Sequence, residues 1–339
     1  MRWTRRPPGS NWGDFGADDQ LGRLNLVTSA HRLAACKEVR EGIAFALSLP
    51  LDVPGGIGLV DVRSPPRRGH EVLGEPGIYN LRMAEAVTGA VDVCCDDAVL
   101  LHTQYSTQWD ALCHVGAMFD ADGDGQSEPV YYNGFRAGID VGPEDGAKAL
   151  GIENQAQFPL QTSGVLVDLH AIHGAASAKV GYDDLMRALE LQRAEVRPAD
   201  VLCLHTGYAQ ALLDMNKVID RRYLASHFAA LDGRDERLLQ WITDSQIVAI
   251  AADNLAVEYD YFSEAMQSGG AVSGPEPASV FPLHHHCLFK LGMMFGELWH
   301  LTDLARWLMA NDRRRFLLTA PPLRLPGAIG SPVTPVATV

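Results

Sequence analysis

Short runs of apolar residues, each bounded by Gly, Asp or Pro, recur along the chain and predict buried β-strands. Between them, apolar residues return every three or four positions, which is typical of helices that bury one face. The predicted strands cover residues 98–102, 164–170, 200–206 and 247–253, and the predicted helices cover 29–40, 183–196, 232–244 and 301–311. Strands that alternate with helices indicate an α/β fold.

The pattern gives little sign of a second domain. Residues 1–60 are rich in Gly and Pro and predict a loop-rich segment that packs on the rest of the chain. Residues 319–339 are rich in Pro and Ala and predict an extended tail on the surface or on a partner subunit. Neither a linker nor a repeat is visible, which favours one domain over residues 1–339. No glycine-rich phosphate loop follows a predicted strand, so no nucleotide cofactor is expected.

Charge narrows the classes of partner. The chain has 339 residues, with 42 Asp and Glu against 28 Lys and Arg, and a formal charge of −14 at neutral pH. Nucleic acids and anionic membranes are bound through clustered cations, so neither is an expected partner. The binding partners that remain possible are a small-molecule substrate and a protein. The absence of a signal or membrane segment and of any C-x-x-C pair among six cysteines predicts a cytoplasmic protein with buried, reduced thiols.

Side chains that can bind a metal follow the first predicted strand. They are His102, Gln108, Asp110 and His114. Imidazole, amide oxygen and carboxylate all bind divalent metals. A helical turn would place Asp110 and His114 on one face, whereas an extended chain would place Gln108 beside Asp110. A metal site and a polar loop of capping residues both fit this spacing.

A second group contains three consecutive histidines, a glutamate and one further histidine: His284, His285, His286, Glu297 and His300. Consecutive side chains point in different directions, so at most one or two of the three can serve a single site. A helix that ends at Gly292, followed by a strand over residues 294–298, would bring one histidine and Glu297 to the same metal. Solvated histidines at the start of a helix are the alternative.

These residues resemble the metal-dependent cyclase-like hydrolases, the family of bacterial kynurenine formamidase and isatin hydrolase. The family signature, His-x-Gly-Thr-His-x-Asp-x-Pro-x-His, matches this chain at Thr107, Asp110 and His114. Its distal ligands, a His and a Glu twelve residues apart with a Gly seven after the His, match His285, Gly292 and Glu297. The resemblance covers most of the chain in order, and further segments that carry it are 11–13, 24–26, 132–134, 164–169, 197–207 and 253–258.

The resemblance implies a fold and a metal site. The fold is a single domain with a mixed, barrel-like central sheet flanked by helices, of the swivelling β/β/α type. The site is one divalent ion, Mn²⁺ or Zn²⁺ or alternatively Mg²⁺, held by Asp110, His285 and Glu297 with Gln108 as a further ligand. Two signature histidines are replaced by Gln104 and Gln108, and glutamine is a weak neutral ligand, so tight binding of two zinc ions is not expected.

The resemblance also implies an activity. The metal would activate water to hydrolyse an amide, a cyclic amide or a lactone, with His114 as general base and then acid. Gln104 and His102 would be further ligands or donors to the oxyanion. The implied substrate-binding residues are Trp12, Trp109 and His286. The family further implies a homo-oligomer, either a dimer or a tetramer.

Other chemistries remain as alternatives. A lyase, dehydratase or cyclase could use the same site, and a non-catalytic binding protein could have lost the metal together with the two histidines. No Gly-x-Ser-x-Gly nucleophile motif is present, and Cys113 and His114 are adjacent and so face apart. Residues 120–125 begin like a calcium loop, but Tyr131 occupies the position of its final Glu, which favours an acidic turn.

Overall fold

The computed structural model describes residues 2–56, 58–69, 78–270 and 278–339. The strands within these ranges are β1 (Ala44–Ala46), β2 (Arg67–Arg68), β3 (Leu81–Arg82), β4 (Val93–Cys94), β5 (Val99–Leu100), β6 (Gln108–Asp110), β7 (Ala117–Phe119), β8 (Glu128–Val130), β9 (Val141–Gly142), β10 (Gly146–Ala147), β11 (Gln161–Asp168), β12 (Ala178–Val180), β13 (Val201–His205), β14 (Ala229–Leu231), β15 (Ala249–Ala252), β16 (Met294–Glu297), β17 (Arg315–Thr319), β18 (Gly330–Pro332) and β19 (Val336–Thr338).

Helices pack on both faces of the main sheet, which nine of these strands form. The α-helices in the described ranges are α1 (Ser29–Cys36), α2 (Ile152–Gln157), α3 (His170–His173), α4 (Tyr182–Gln192), α5 (Tyr208–Asp214), α6 (Arg221–Ala225), α7 (Glu236–Ser245), α8 (Tyr261–Gln267), α9 (Pro282–His284) and α10 (Thr302–Ala310). Short 3₁₀ turns span Gly22–Leu26, Met83–Glu85 and Tyr132–Gly134. One π-helical turn spans His285–Lys290 and continues directly from α9.

Nine strands form the main sheet, which is curled into a half-barrel. Their spatial order is β1, β19, β17, β11, β13, β15, β16, β6 and β18. Strands β11, β13, β15 and β16 are parallel, so their carboxyl ends lie at one edge. The flanking strands are antiparallel. This mixed α/β architecture confirms the fold expected from the sequence.

Side chains of the parallel strands alternate between two apolar cores, one on each face of the sheet. Leu166 and Cys203 contribute to one core, whereas Val167, Leu204 and Ala252 contribute to the other. Because both faces are covered, these strands are continuous apolar runs in the sequence, without the alternation of a half-exposed strand. This property is what made them predictable.

Helix boundaries agree with the sequence pattern to within a few residues. The helix predicted over 183–196 is α4, which ends at Gln192 because Arg193 adopts a left-handed conformation with φ of 52°. The strand predicted over 98–102 is wrong as a buried strand. Only Val99 and Leu100 are extended, and they are exposed in a two-stranded ribbon with β2.

The C-terminal residues also differ from the expectation of a surface tail. β19 lies inside the main sheet between β1 and β17, and β18 pairs with β6. Ser331, Ala337 and Val339 are completely buried. The backbone hydrogen bonds of these strands form with residues distant in sequence, which a local pattern cannot reveal.

A buried arginine attaches the N-terminal segment to the end of helix α7. Arg23 donates hydrogen bonds to the carbonyl oxygens of Ile242, Thr243 and Ile247 around the end of α7. Beside it, Gly22 adopts φ of 57°, and a Cβ there would lie 2.0 Å from the Gly292 carbonyl oxygen. Only glycine therefore allows this close approach of the two backbones.

Cysteines divide evenly between core and surface. Cys113, Cys203 and Cys287 are buried as predicted, whereas Cys36, Cys94 and Cys95 are exposed, and all six are free thiols. Within the described ranges, no helix combines the length and the apolar character needed to cross a bilayer.

A buried histidine joins the carboxyl ends of neighbouring strands. His205 lies 2.8 Å from Asp168 Oδ1 through Nδ1 and 3.2 Å from Thr302 Oγ1 through Nε2. Asp253 lies 4.0 Å from Nε2. Burial opposes the charged ring, but the hydrogen bond to Asp168 and the charges of both carboxylates outweigh burial and raise the pKa of His205. Through these contacts the His205 ring holds β11, β13 and the start of α10 together.

We expect the substitution His205→Gln to destabilise the protein most at low pH. Because its pKa is raised on folding, His205 contributes stability that is fully present below about pH 6.5 and is lost as the pH rises through the folded-state pKa. Breaking this buried pair should lower the free energy of unfolding by about 3 kcal/mol at about pH 6 and by less at about pH 9. Urea unfolding of the chelator-treated protein at both pH values measures the difference.

The control for this prediction is His173→Gln. This histidine is partly exposed and lies in α3, the helix that follows β11. The substitution should change the unfolding free energy little at either pH. An equal loss for His205→Gln at the two pH values would contradict an ionic role of His205.

Candidate metal centre

Two strand ends and one helix end bring three ionisable side chains together. β6 and β16 are antiparallel, with Gln108 opposite Glu297. Side chains two apart on a strand share a face, so Asp110 lies diagonally across from Glu297 on the same side of the sheet. His284 approaches from the end of α9. One ligand atom from each of Asp110, His284 and Glu297 lies within 4.8 Å of the others.

All three side chains are almost completely excluded from water. His284 Nε2 lies 3.3 Å from Glu297 Oε1 and 3.9 Å from Asp110 Oδ2. Gln108 donates a hydrogen bond from Nε2 to Glu297 Oε2 at 2.8 Å. Both oxygens of Asp110, and Oε1 of Gln108, are buried without a hydrogen-bond partner. Buried oxygens without partners are costly, and a cation bound among them would remove that cost.

The pKa values of the three side chains also favour a cation at the centre. Burial and the nearby charge of Glu297 raise the pKa of Asp110 well above its usual range. Burial also opposes ionisation of Glu297, yet the hydrogen bond and charge of His284 lower its pKa. For His284, burial opposes the charged ring, but hydrogen bonds to Glu258 and Glu297 raise its pKa to about 10. Two buried carboxylates this close need positive charge nearby, which the charged His284 ring supplies here and a bound divalent ion would supply in its place. The residues present therefore fit a metal.

His114 lies at the side of this group that is open to solvent. Its Nε2 is 3.8 Å from Asp110 Oδ1, its ring centroid is 6.4 Å from that of His284, and 23% of its side chain is exposed. Burial and the charge of His284 lower the pKa of His114 to about 4. The ring is therefore neutral at neutral pH, with a nitrogen lone pair that can accept a proton.

The backbone around the centre is held in uncommon conformations. Leu298, directly after Glu297, adopts φ of 55°, and Ala256 and Val257 adopt φ of 70° and 60°. Left-handed conformations of this kind are costly for residues other than glycine and concentrate at functional sites. Thr107 stabilises the turn after Glu297, since its hydroxyl donates to the Leu298 carbonyl oxygen and accepts from the Leu49 amide.

The histidine in the centre is His284, not His285. His285 is instead stacked on Phe289 with ring centroids 5.0 Å apart, and His286 points to Thr243 Oγ1 at 2.9 Å. The reason is the change from an α-helical turn to a π-helical turn at His285, which directs the three consecutive rings differently. The run of histidines indicated the site, but only the turn type selects which ring faces it.

Two tryptophans expected to bind substrate are core residues. Trp12 and Trp109 are completely buried. Trp12 donates from Nε1 to the Phe289 carbonyl oxygen, and Trp109 donates from Nε1 to that of Ala320, each at 2.8 Å. Trp109 lies between Gln108 and Asp110 and therefore points to the opposite face of the sheet. It anchors β6 in the core and so directs its two neighbours into the centre. His286, the third such residue, is bound to Thr243 and lies outside the group.

Two of the remaining histidines, His102 and His300, lie outside the three-residue group. His102 is exposed and contacts the backbone of Ser64 through Nδ1. The side chain of Gln104 packs over Gly330, the strand partner of Asp110, and a Cβ at Gly330 would lie 2.5 Å from its Nε2. His300 contacts Gln210.

The acidic turn Asp120–Asp124 brings three carboxylates together at the surface. Its carboxylates accept hydrogen bonds from amides of their own loop, including those of Gly123 and Gly125. Arg5 pairs with Asp120, and Arg136 pairs with Asp122. Two of the three carboxylates are therefore already paired with arginines.

Comparisons with known proteins place this chain in a family. The model of the Cyclase family ("Putative cyclase") matches residues 45–259. A crystal structure described as that of a novel cyclase is similar at 29% identity and a TM-score of 0.76, over 99% of this chain and 100% of that chain. No protein with a curated function matches the chain.

Two isatin hydrolases share the fold at lower identity. Isatin hydrolase A from Labrenzia aggregata, bound to benzyl benzoate, is 11% identical with a TM-score of 0.55, over 92% of this chain and 99% of that chain. Isatin hydrolase A from Ralstonia solanacearum is 12% identical with a TM-score of 0.53, over 92% of this chain and 97% of that chain. At identities this low, the similarity shows a shared fold only.

We expect Asp110→Asn to stabilise the metal-free protein while removing its response to metal. A carboxyl whose pKa is raised on folding costs stability at pH values above its usual pKa of about 4, and the cost disappears as the pH falls towards that value. Asn carries no charge, so the metal-free variant should be more stable by about 1–3 kcal/mol at about pH 7 and equally stable at about pH 4. Urea unfolding with chelator measures this, and thermal unfolding with added Mn²⁺ measures the response to metal.

Asp96→Asn, at an exposed carboxylate, is the matched control and should behave like the wild type in both measurements. A metal response that survives in Asp110→Asn would show that Asp110 is not a ligand.

Proposed function

The chain belongs to the Cyclase family, and from this premise we propose that it is a metal-dependent hydrolase of an amide, cyclic amide or lactone bond in a small molecule. One observation carries the proposal. Asp110, His284 and Glu297 converge in a buried group that contains oxygens without hydrogen-bond partners. That arrangement is costly for a protein without a ligand there and is suited to a divalent cation.

The ligand set favours Mn²⁺ over Zn²⁺. Asp110 and Glu297 offer carboxylate oxygens, Gln108 offers Oε1, and His284 offers a single nitrogen. Oxygen-rich sets suit Mn²⁺ and Mg²⁺, whereas Zn²⁺ sites are usually richer in nitrogen and sulfur. When bound, such an ion polarises a substrate carbonyl and lowers the pKa of water.

His114 is the residue that would move protons. Its Nε2 lies beside Asp110 at the solvent side of the centre, where a substrate could reach it. We assign it to accept the proton of the attacking water and to return that proton to the leaving nitrogen or oxygen. Gln108 would hold Glu297 in place through its Nε2 hydrogen bond during these steps.

A small-molecule substrate fits the net charge of −14, which disfavours polyanions. Homo-oligomer formation and cytoplasmic location stay predictions from the sequence.

The proposed activity is tested by hydrolysis of a panel of aryl formamides, cyclic imides and lactones in ¹⁸O-labelled water with Mn²⁺. A hydrolase must incorporate one labelled oxygen into the carboxylate product, because the acyl carbon gains its new oxygen from water. A product formed without label would identify a lyase or a cyclase instead. No turnover, together with no thermal shift on adding Mn²⁺ or Zn²⁺, would favour a binding protein.

We expect His114→Gln to separate proton transfer from metal binding. The variant should keep the Mn²⁺-induced thermal shift, since His114 lies outside the three-residue group. Its kcat should fall by about 10²–10⁴-fold, the usual contribution of a positioned acid–base group. Steady-state kinetics on any substrate found in the panel, beside thermal unfolding, gives both values. Loss of the thermal shift would make His114 a ligand, and unchanged kcat would exclude it from catalysis.

A further inference from the structure

Glu258 is a buried acid that stands behind the candidate metal centre. Only 3% of its surface is exposed. Its Oε1 accepts from His284 Nδ1 at 2.6 Å and from the His284 amide at 3.1 Å, and its Oε2 accepts from the Leu283 amide at 2.8 Å. One carboxylate therefore binds both the side chain and the backbone of the same histidine.

We propose that Glu258 is a positioning residue that fixes the ring of His284 so that Nε2 faces Asp110 and Glu297 and can bind the metal. This inference rests on the proposed function, since it concerns a ligand of the proposed metal. The Glu258 oxygens accept from two amides and from Nδ1, so the carboxylate keeps a hydrogen of His284 on Nδ1 and leaves Nε2 facing the centre. Metal-binding histidines commonly need such a partner on the other ring nitrogen, which sets both ring orientation and tautomer.

The backbone around Glu258 holds its carboxylate in position. Ala256 and Val257 both adopt left-handed conformations immediately before Glu258, with φ of 70° and 60°. Such a conformation is costly for a β-branched residue and persists only where the surroundings enforce it. The segment is held by β14, since the Leu231 amide donates to the Val257 carbonyl oxygen and the Tyr259 amide donates to that of Leu231.

A glycine leaves room for the carboxylate. A Cβ at Gly233 would lie 2.6 Å from Glu258 Oε2 and 2.8 Å from the Leu283 amide nitrogen. The substitution Gly233→Ala would therefore force the carboxylate and the Leu283 amide out of their present contact, with the charge of Glu258 unchanged. Two different changes, one in chemistry and one in position, address the same interaction.

A purely structural role predicts a different outcome, and Asp253 provides the matched control. Asp253 is also completely buried, and its carboxylate accepts from the amides of Thr206 and Gly207. It lies on the same connection as Glu258 but, unlike Glu258, makes no hydrogen bond to His284. Asp253→Asn should therefore reduce stability without changing metal affinity.

The experiment compares Mn²⁺ binding by calorimetry for the wild type, Glu258→Gln, Gly233→Ala and Asp253→Asn, each shown to be folded by circular dichroism. We expect Kd to rise by about 10–100-fold for Glu258→Gln and Gly233→Ala, as is usual when the partner of a metal-binding histidine is altered. Kd for Asp253→Asn should stay within about threefold of the wild type. Unchanged Kd in Glu258→Gln, or an equal rise in all three variants, would overturn the proposal.

A second readout separates this inference from the proposed function. ¹⁵N NMR of histidine-labelled, metal-free protein reports the hydrogen bonding of the His284 ring nitrogens, and of Nδ1 in particular. We expect Glu258→Gln and Gly233→Ala to change the His284 signals, with Asp253→Asn leaving them as in the wild type. If the wild type binds no Mn²⁺ but these signals shift as expected, the metal proposal fails while the positioning role stands. If the signals do not shift in either variant, the positioning role fails.

Discussion

The structure is organised around two carboxylates, Asp110 and Glu297, buried on neighbouring strands beside one histidine. Like charges in a water-excluded site repel each other strongly, and buried oxygens without hydrogen-bond partners add to the cost. The protein can hold them there only because the sheet that carries them is anchored by large apolar cores on both faces. Stability elsewhere in the fold thus sustains a centre that is unfavourable by itself, a compromise typical of sites that bind a cation.

Each element at the centre has a second set of contacts that fixes its direction. Trp109 is bound in the opposite core and turns Gln108 and Asp110 towards the centre. Thr107 stabilises the strained turn at Leu298 that follows Glu297. Preorganisation of this kind would suit a metal, which tolerates little error in the position of its ligands. Only His114 remains partly exposed, which separates the group that could move protons from the groups that could hold a metal.

Much of the fold follows from local patterns. The strands β11, β13 and β15 and the helices α4, α7 and α10 were predictable because continuous apolar runs and helical periodicity reflect burial directly. The errors arose where long-range pairing decided the structure. β5 is an exposed ribbon strand despite its apolar sequence, and the C-terminal residues, rich in Pro, enter the main sheet. Burial and pairing partners of such short segments are set by residues far away in the chain.

The sequence by itself determined the chemistry that the centre can perform, since it supplied Asp110, Glu297, Gln108, a run of histidines and an acidic chain. It also determined the α/β class through its periodicity. The tertiary structure alone decided that His284 faces the acids, that Trp12 and Trp109 belong to the core, and that Glu258 lies behind the histidine. The physical reason is that a side chain's direction depends on turn type and on strand register, and both are fixed by packing between segments that are remote in sequence.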